Sequence, residues 1–413
     1  MSHLALAPAT ANPPSGWTTA RFKSIAALRT ERRGSRDIPL LSLSAARGIE
    51  NRESDGTARQ APSESLDNYW VVHPGDIVVN PMWVVEGGVA QSSSHGAVSP
   101  AYRVYRTRAG VHGRYLHHLL RSQPYLDQYR LATRGITTFD RSVGKDDFHV
   151  LPVLLPPLDE QRRIADFLDA ETAHLDHLLE LRSAQEAALS VRHDAVVGSL
   201  LDDSHRDDEV VRLKHTGARI TVGIVVTPAA WYVDEGGVPA VRGTDVSPGS
   251  IRIDDLVQIS AEGDRAHPKS RLRTGDVLVV RTGKAGAACA VPESLVGANA
   301  IDLLIIRPGR DLLPRYVEHI INSERTRRFV DEFSVGTIQS HFNVGTLGEL
   351  PIPMLPLPRQ AAIIETLDSL TSRQAALIEA IAVQRTRLLE RRQALITAAV
   401  TGQLNVATVG VYA

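Results

Sequence analysis

At 413 residues the chain is long enough for two or more cored domains, and its 43% hydrophobic residues fall in runs too short for a membrane-spanning helix. A lone cysteine, Cys289, excludes an internal disulfide and a cysteine-rich metal site, which suits a reducing cytoplasm. A formal net charge of −1 excludes a polyanion binder that works through overall charge, although 41 Arg against 5 Lys suits planar recognition of phosphate and guanine edges, a bias that GC-rich coding would also produce.

Residues 1–14 open "MSHLALAPAT", without the basic segment of a secretory signal, and read as a flexible lead-in. Residues 15–150 form a first globular segment with 18 basic against 13 acidic residues. Its run "HPGDIVVNPMWVV" (73–85), bounded by Gly, Pro and Asp, reads as strand and turn. A short helical stretch follows in "GRYLHHLLRSQPYLDQYR", then turn chemistry in "RGITTFDRS". His117 and His118 are adjacent and so face apart on a helix, which argues against a metal site. Amides, hydroxyls and cations in loops after strands pair with base edges and phosphates, and here they nominate Asn80, Gln91, Ser93, His95, Thr138 and Arg141.

Residues 151–204 read as one long helix, started after Pro156 and Pro157, with Asp159 and Glu160 at the positive end of its dipole. Spacings of 4 and 3 mark a heptad seam through Ile164, Leu168, Glu171, Leu175, Leu178, Arg182, Gln185, Leu189, Arg192 and Val196. Residues 151–200 are acidic, 4 basic against 9 acidic. Residues 205–346 form a second globular segment, and 201–346 carry 18 basic against 20 acidic residues. It carries "RTGDVLVVRTGKAG" (273–286), the helical "PRYVEHIINSERTRRFVDEF" and the turn "VGTIQSHFN". The same reasoning nominates Arg242, Thr244, Arg281, Lys284, Gln339 and His341. Residues 347–404 form a second long helix with a seam through Ile363, Leu367, Leu370, Gln374, Leu377, Ile381, Gln384, Leu388, Arg391 and Leu395, and 405–413 read as a tail.

The two helical segments are copies. A shift of 199 positions, without a gap, matches Leu151-Pro152 to Leu350-Pro351, Pro157-Leu158 to Pro356-Leu357, Gln161 to Gln360, Ile164 to Ile363, Leu168-Asp169 to Leu367-Asp368 and Arg192 to Arg391. A whole module is duplicated. Polar seam positions recur in both copies and fix register, so the helices are expected to pair. About 42 helical residues make a rod of roughly 60 Å, a spacer. The globular segments share a frame but differ in sequence.

Catalytic motifs are missing. "ANPPSG" (11–16) has Ser15 where a base-gripping methyltransferase site has an aromatic residue, and no Gly-rich cofactor loop follows. None of Lys23, Lys145, Lys214, Lys269 and Lys284 has an acid two residues before it, as a restriction-type nuclease would. "RTGKAG" has Leu278 where a phosphate loop has its first Gly, and Ala285 where it has Ser or Thr.

"LPPLDEQRRIADFLDAETAHLDHLLE", its copy and the closing "ALITAAVTGQL" resemble the specificity subunit of type I DNA restriction-modification systems, over nearly the whole chain. The second copy departs from the pattern, with "LPRQ" where the first has "LDEQ". The resemblance implies an α+β fold, two target-recognition domains separated by two long helices packed as an antiparallel coiled coil, and an internal pseudo-two-fold. It implies a non-catalytic subunit that binds double-stranded DNA, each domain reading half of a bipartite target. It also implies two modification subunits and further restriction subunits as partners, with S-adenosylmethionine, ATP and magnesium belonging to those partners. A coiled-coil assembly scaffold that reads no DNA is the alternative, kept open by the near-neutral second segment.

Overall fold

The computed structural model describes residues 13–44, 48–52, 66–134, 142–203, 210–282, 285–333 and 342–408. It divides into two compact units, residues 1–182 with 382–413, and residues 183–381. The first unit is thus discontinuous in sequence, and each unit holds part of both long helices.

Unit 1 is built on a four-stranded antiparallel sheet of β1 (Ala26–Leu28), β2 (Ile77–Val79), β3 (Val89–Gln91) and β4 (Arg103–Thr107), in the order β1-β4-β2-β3. Unit 2 repeats it with β5 (Arg219–Val222), β6 (Val277–Val280), β7 (Ala288–Ala290) and β8 (Leu303–Arg307), in the order β5-β8-β6-β7. The continuous apolar runs read from the sequence are β2 and β6, fully buried. Each is entered by a Gly-Asp turn. Gly75 and Gly275 take φ of 93° and 84°, where only glycine is unstrained, and Asp76 and Asp276 accept the backbone N–H of His73 and Arg273, each at 2.9 Å. Unit 2 adds a second four-stranded sheet, including a parallel pair between Val238–Arg242 and Asn299–Ile301.

Two helices follow each sheet, α1 (Gly113–Leu120) and α2 (Gln123–Ala132) in unit 1, and, beyond the long helix α3 (Leu158–Asp203), α4 (Pro314–Asn322) and α5 (Glu324–Phe333) in unit 2; α6 (Leu357–Val400) is the second long helix. A two-stranded ribbon closes each globular part, Thr18–Arg21 against Pro152–Leu155 and Val210–Arg212 against Pro351–Pro353. Chain entry and exit therefore meet at the foot of a long helix in both units.

The long helices run antiparallel. In unit 1, Ile164 and Leu168 near the start of α3 share a core with Ile396, Ala399 and Val400 near the end of α6, and Asp176 pairs with Arg392 at 3.0 Å. In unit 2, Leu201 near the end of α3 shares a core with Leu367 near the start of α6, with Val197 and Ile363 packed beside them. Of the expected seam residues, Ile164, Leu168, Leu175, Leu367 and Ile381 are buried, and Leu178, Leu189, Ile363 and Leu388 are half-buried.

One apolar seam position differs from the expectation. Leu377 is 51% exposed, and the covered row of α6 passes instead through Gln374, Ile378, Ile381, Arg385, Leu388 and Arg392. From Leu370 through Gln374 and Ile378 to Ile381 the spacing becomes 4, 4, 3. A strict heptad assumes 3.5 residues per turn, whereas a helix turns in 3.6, so the covered stripe drifts by one position unless the helix supercoils to follow it. The polar positions expected in the seam, Gln185, Arg192, Gln384 and Arg391, are all exposed for the same reason.

Candidate nucleic-acid interface

Where each globular part meets its helices, the same joint is built twice. Gln161, 1% exposed in the first turn of α3, donates from Nε2 to the carbonyls of Pro156 (2.8 Å) and Gly110 (3.1 Å) and accepts the His112 N–H at 2.8 Å. Gln360 in α6 does the same with Leu355 (2.7 Å), Asp311 (2.8 Å) and the Leu313 N–H (2.8 Å). Two buried tyrosines also repeat: the Tyr115 hydroxyl donates to the Leu154 carbonyl and that of Tyr316 to the Pro353 carbonyl.

Above each glutamine lies an ion-paired cluster. Arg114 Nε lies 2.7 and 2.9 Å from the two oxygens of Asp169, whose Oδ1 is 2.7 Å from His118 Nε2. Arg315 and His319 meet Asp368 at 2.5 and 2.9 Å. Partial burial opposes ionisation of Asp169, but His118 and Arg114 outweigh it and hold the carboxyl below its usual pKa. Burial lowers the pKa of His118 and His319 despite those aspartates.

The two joints differ at one slot. In unit 1 the backbone N–H of Gln91 is accepted by Nδ1 of His117 (3.2 Å), and in unit 2 the matching N–H of Ala290 is accepted by the Glu318 carboxylate (2.7 Å). A cleft of about 1110 Å³ beside the first cluster is lined by Gln91, Ser93, Arg114, His117 and Arg392, and one of about 650 Å³ beside the second by Arg315, Glu318, His319 and Asn322.

The nominated base readers fall in separate places. Asn80, expected at the DNA surface, is instead buried, 8% exposed, and its Oδ1 accepts the Met82 N–H to shape the turn after β2. Gln91 ends β3 and faces the unit 1 cleft beside Ser93. His95 is exposed, its ring 4.9 Å from that of His73. His73 leads to a cationic surface that the sequence reading missed. Glu31 is met by Arg36 at 2.5 Å, His73 at 3.0 Å and Arg29 at 3.7 Å, and the Arg36 hydrogen bond, then that of His73, holds its pKa down at about 2. Beside them the Arg32 guanidinium lies 3.3 Å over the Trp70 ring. The signal was present in "RTERRGSRD" (29–37), four arginines in nine residues.

In unit 2, Arg242 and Arg252 both pair with buried Asp245, at 3.1 and 2.8 Å, and exposed Thr244 sits in the turn between. Arg281 is held apart from them by Asp302 at 2.6 Å. Arg271 pairs with Asp264, and Arg307 with Asp276. The nominated Thr138, Arg141, Lys284, Gln339 and His341 lie outside the described residues.

Twin sheets of one topology, each tied by the same joint to antiparallel helices, define the class: the fold is that of type I restriction-modification specificity subunits. A chain solved in work on complex assembly and conformational transition of the type I R-M system superposes with a TM-score of 0.75 at 22% identity, covering 95% of this chain and 100% of that one. The HsdS subunit from Thermoanaerobacter tengcongensis superposes with a TM-score of 0.52 at 20% identity, over 95% of this chain and 98% of its own. In sequence, the chain is similar to the StySPI type I restriction enzyme specificity subunit of Salmonella potsdam, 24% identical over 188 residues, 43% of this chain and 38% of that one. It is also similar to the EcoBI specificity subunit of Escherichia coli, 23% identical over 283 residues, 62% of this chain and 58% of the relative. The matches thus span less than two thirds of either curated relative. No family model matches the chain.

Proposed function

We propose that this chain is the DNA-specificity subunit of a type I restriction-modification complex, in which residues 15–150 and 205–346 each read one half of a bipartite double-stranded target. The observation that carries this reading is the duplication itself: one frame built twice, with a matching joint and different exposed side chains. Two readers on paired helices suit a target whose halves lie a helical turn apart, ~34 to 36 Å along B-DNA. In unit 1 the reading surface includes Arg32, Arg36, Ser93 and His95, and in unit 2 Arg242, Thr244 and Arg252. Base flipping, methyl transfer and ATP-driven cleavage belong to the cytoplasmic partners, two modification subunits docked at equivalent faces and restriction subunits, which supply S-adenosylmethionine, ATP and magnesium.

The test is a domain exchange. Replacing residues 15–150 by the corresponding domain of another specificity subunit, and sequencing methylated bases in a host that also expresses the modification subunit, should change one half of an interrupted motif and leave the other intact. A change in both halves, or in neither, contradicts the reading. The ion-paired arginines of unit 2 favour one second reading, an assembly scaffold that no longer reads DNA. It predicts no DNA binding even with the modification subunit bound.

A further inference from the structure

The joints agree where the rest of the two modules differs. Helices α1 and α4 share Arg-Tyr followed by a histidine three residues after the tyrosine, Arg114-Tyr115 with His118 and Arg315-Tyr316 with His319. The two sets stand 201 positions apart, and the aspartates they meet, Asp169 and Asp368, stand 199 apart. The contact has therefore been kept through a two-residue change in chain length between them. His118 and His319 are the covered part of each cluster, 4% and 13% exposed, but the stability of the arginine–aspartate pairs does not account for their being kept. The arginine and aspartate side chains are 37 to 40% exposed, and ion pairs that exposed contribute at most about 1 kcal/mol. The buried glutamines and tyrosines below already attach the globular part to its helix. What the clusters add is direction: a guanidinium and an imidazole grip one carboxylate from two successive turns of α1 or α4.

We propose that Asp169 with Arg114 and His118, and Asp368 with Arg315 and His319, are positioning residues that fix the angle of each reading domain on its helices and so the phase at which its half-site is met. This rests on the bipartite reading above. A tilt of ~10° carried to an edge roughly 20 Å away moves it by about 3.5 Å, one base-pair rise, so a small change in the joint is a change of register on DNA. In unit 1 the grip is closed from the other side as well, where Gln393 of α6 donates to the Arg121 carbonyl and Arg392 pairs with Asp176.

The full chain, expressed with its modification subunit, carries Asp169→Asn, Asp368→Asn or both, and meets targets with the native spacer or one base pair more or less. Methylation at single-base resolution gives the ratio of off-spacer to native-spacer modification. The double variant is expected to raise that ratio at least about fivefold, ~1 kcal/mol of lost discrimination, with the sequence of each half-site unchanged. An unchanged ratio overturns the proposal, whether or not total methylation falls, because a merely structural role lowers both targets alike. If the asparagine variants fail to fold, Arg114→Gln with Arg315→Gln breaks the same grip at half-exposed side chains and is scored in the same way. A wild-type chain that yields no interrupted motif removes the bipartite reading itself, and this proposal with it, before any substitution is compared.

Discussion

Replacing Gln161 by Leu keeps the volume of a buried side chain and deletes three hydrogen bonds, to the Pro156 and Gly110 carbonyls and from the His112 N–H. Gly110 is exposed, so water can reach its carbonyl, and the cost falls on Pro156 and His112. Two polar groups left unpaired cost about 1 to 3 kcal/mol each, and the added apolar burial returns about 1 kcal/mol, so the net loss is about 3 kcal/mol. In a domain of this size that lowers Tm by about 6 to 12 °C. Gln360→Leu should cost the same, since its three partners are equivalent and Asp311, like Gly110, is exposed. Differential scanning calorimetry of both variants, with exposed Arg162→Leu as a control expected within about 0.5 kcal/mol, measures this. Melting of either glutamine variant within about 2 °C of the parent would refute the reasoning, because it would mean that the joint does not depend on the bonds that define it.

The drift of the seam gives a contrast four residues apart. Ile381→Asp buries a carboxylate at a 5% exposed position and should destabilise by about 3 to 5 kcal/mol, whereas Leu377→Asp should change stability by less than about 1 kcal/mol; equal urea midpoint shifts would restore the heptad reading. Acid should weaken unit 1 early. Burial, then neighbouring His118 and Arg121, lowers the pKa of His117 well below its usual value, and protonation would also remove its acceptance of the Gln91 N–H. Between that lowered pKa and the unfolded value near 6.5, the unfolded chain binds more protons, so stability is full above about 6.5 and is lost as pH falls below it. His117→Gln keeps an acceptor without the titration, and should flatten the fall in Tm between pH 7 and 5; an unchanged slope would remove His117 from the account.

The long helices, their starts and their duplication were legible in the sequence because each rests on local chemistry: Pro156 and Pro157 stop one element, acids open the next, and a period near 3.5 marks the covered face. The exposure of Leu377 was not legible, since one residue of drift accumulates over several turns and depends on how far the helices supercoil. Gln161 and Gln360 stood out as a matched pair, but two of the three groups each satisfies, one carbonyl and one N–H, come from residues about fifty positions upstream. The Arg-Tyr and His set escaped an ungapped shift of 199 because it recurs at 201. Among nominated readers, Asn80 and Arg281 show the limit of residue type as a guide. Each has polar groups that suit a base edge, and each is taken up within the fold, the Asn80 Oδ1 by the Met82 N–H and the Arg281 guanidinium by Asp302.

The divided course of unit 1 also sets a timetable for biosynthesis. Its core needs Ile396, Ala399 and Val400, which lie downstream of the whole of unit 2, residues 183–381. At about 5 to 20 residues per second, a ribosome takes roughly 10 to 40 s to translate that interval. During that time the apolar stripe of Ile164 and Leu168 has been made while its partners in α6 have not. Unit 2, continuous in the chain, can close first, so the half encoded earlier is the half that finishes later, and chaperone demand in the cell should follow the nascent segment around α3.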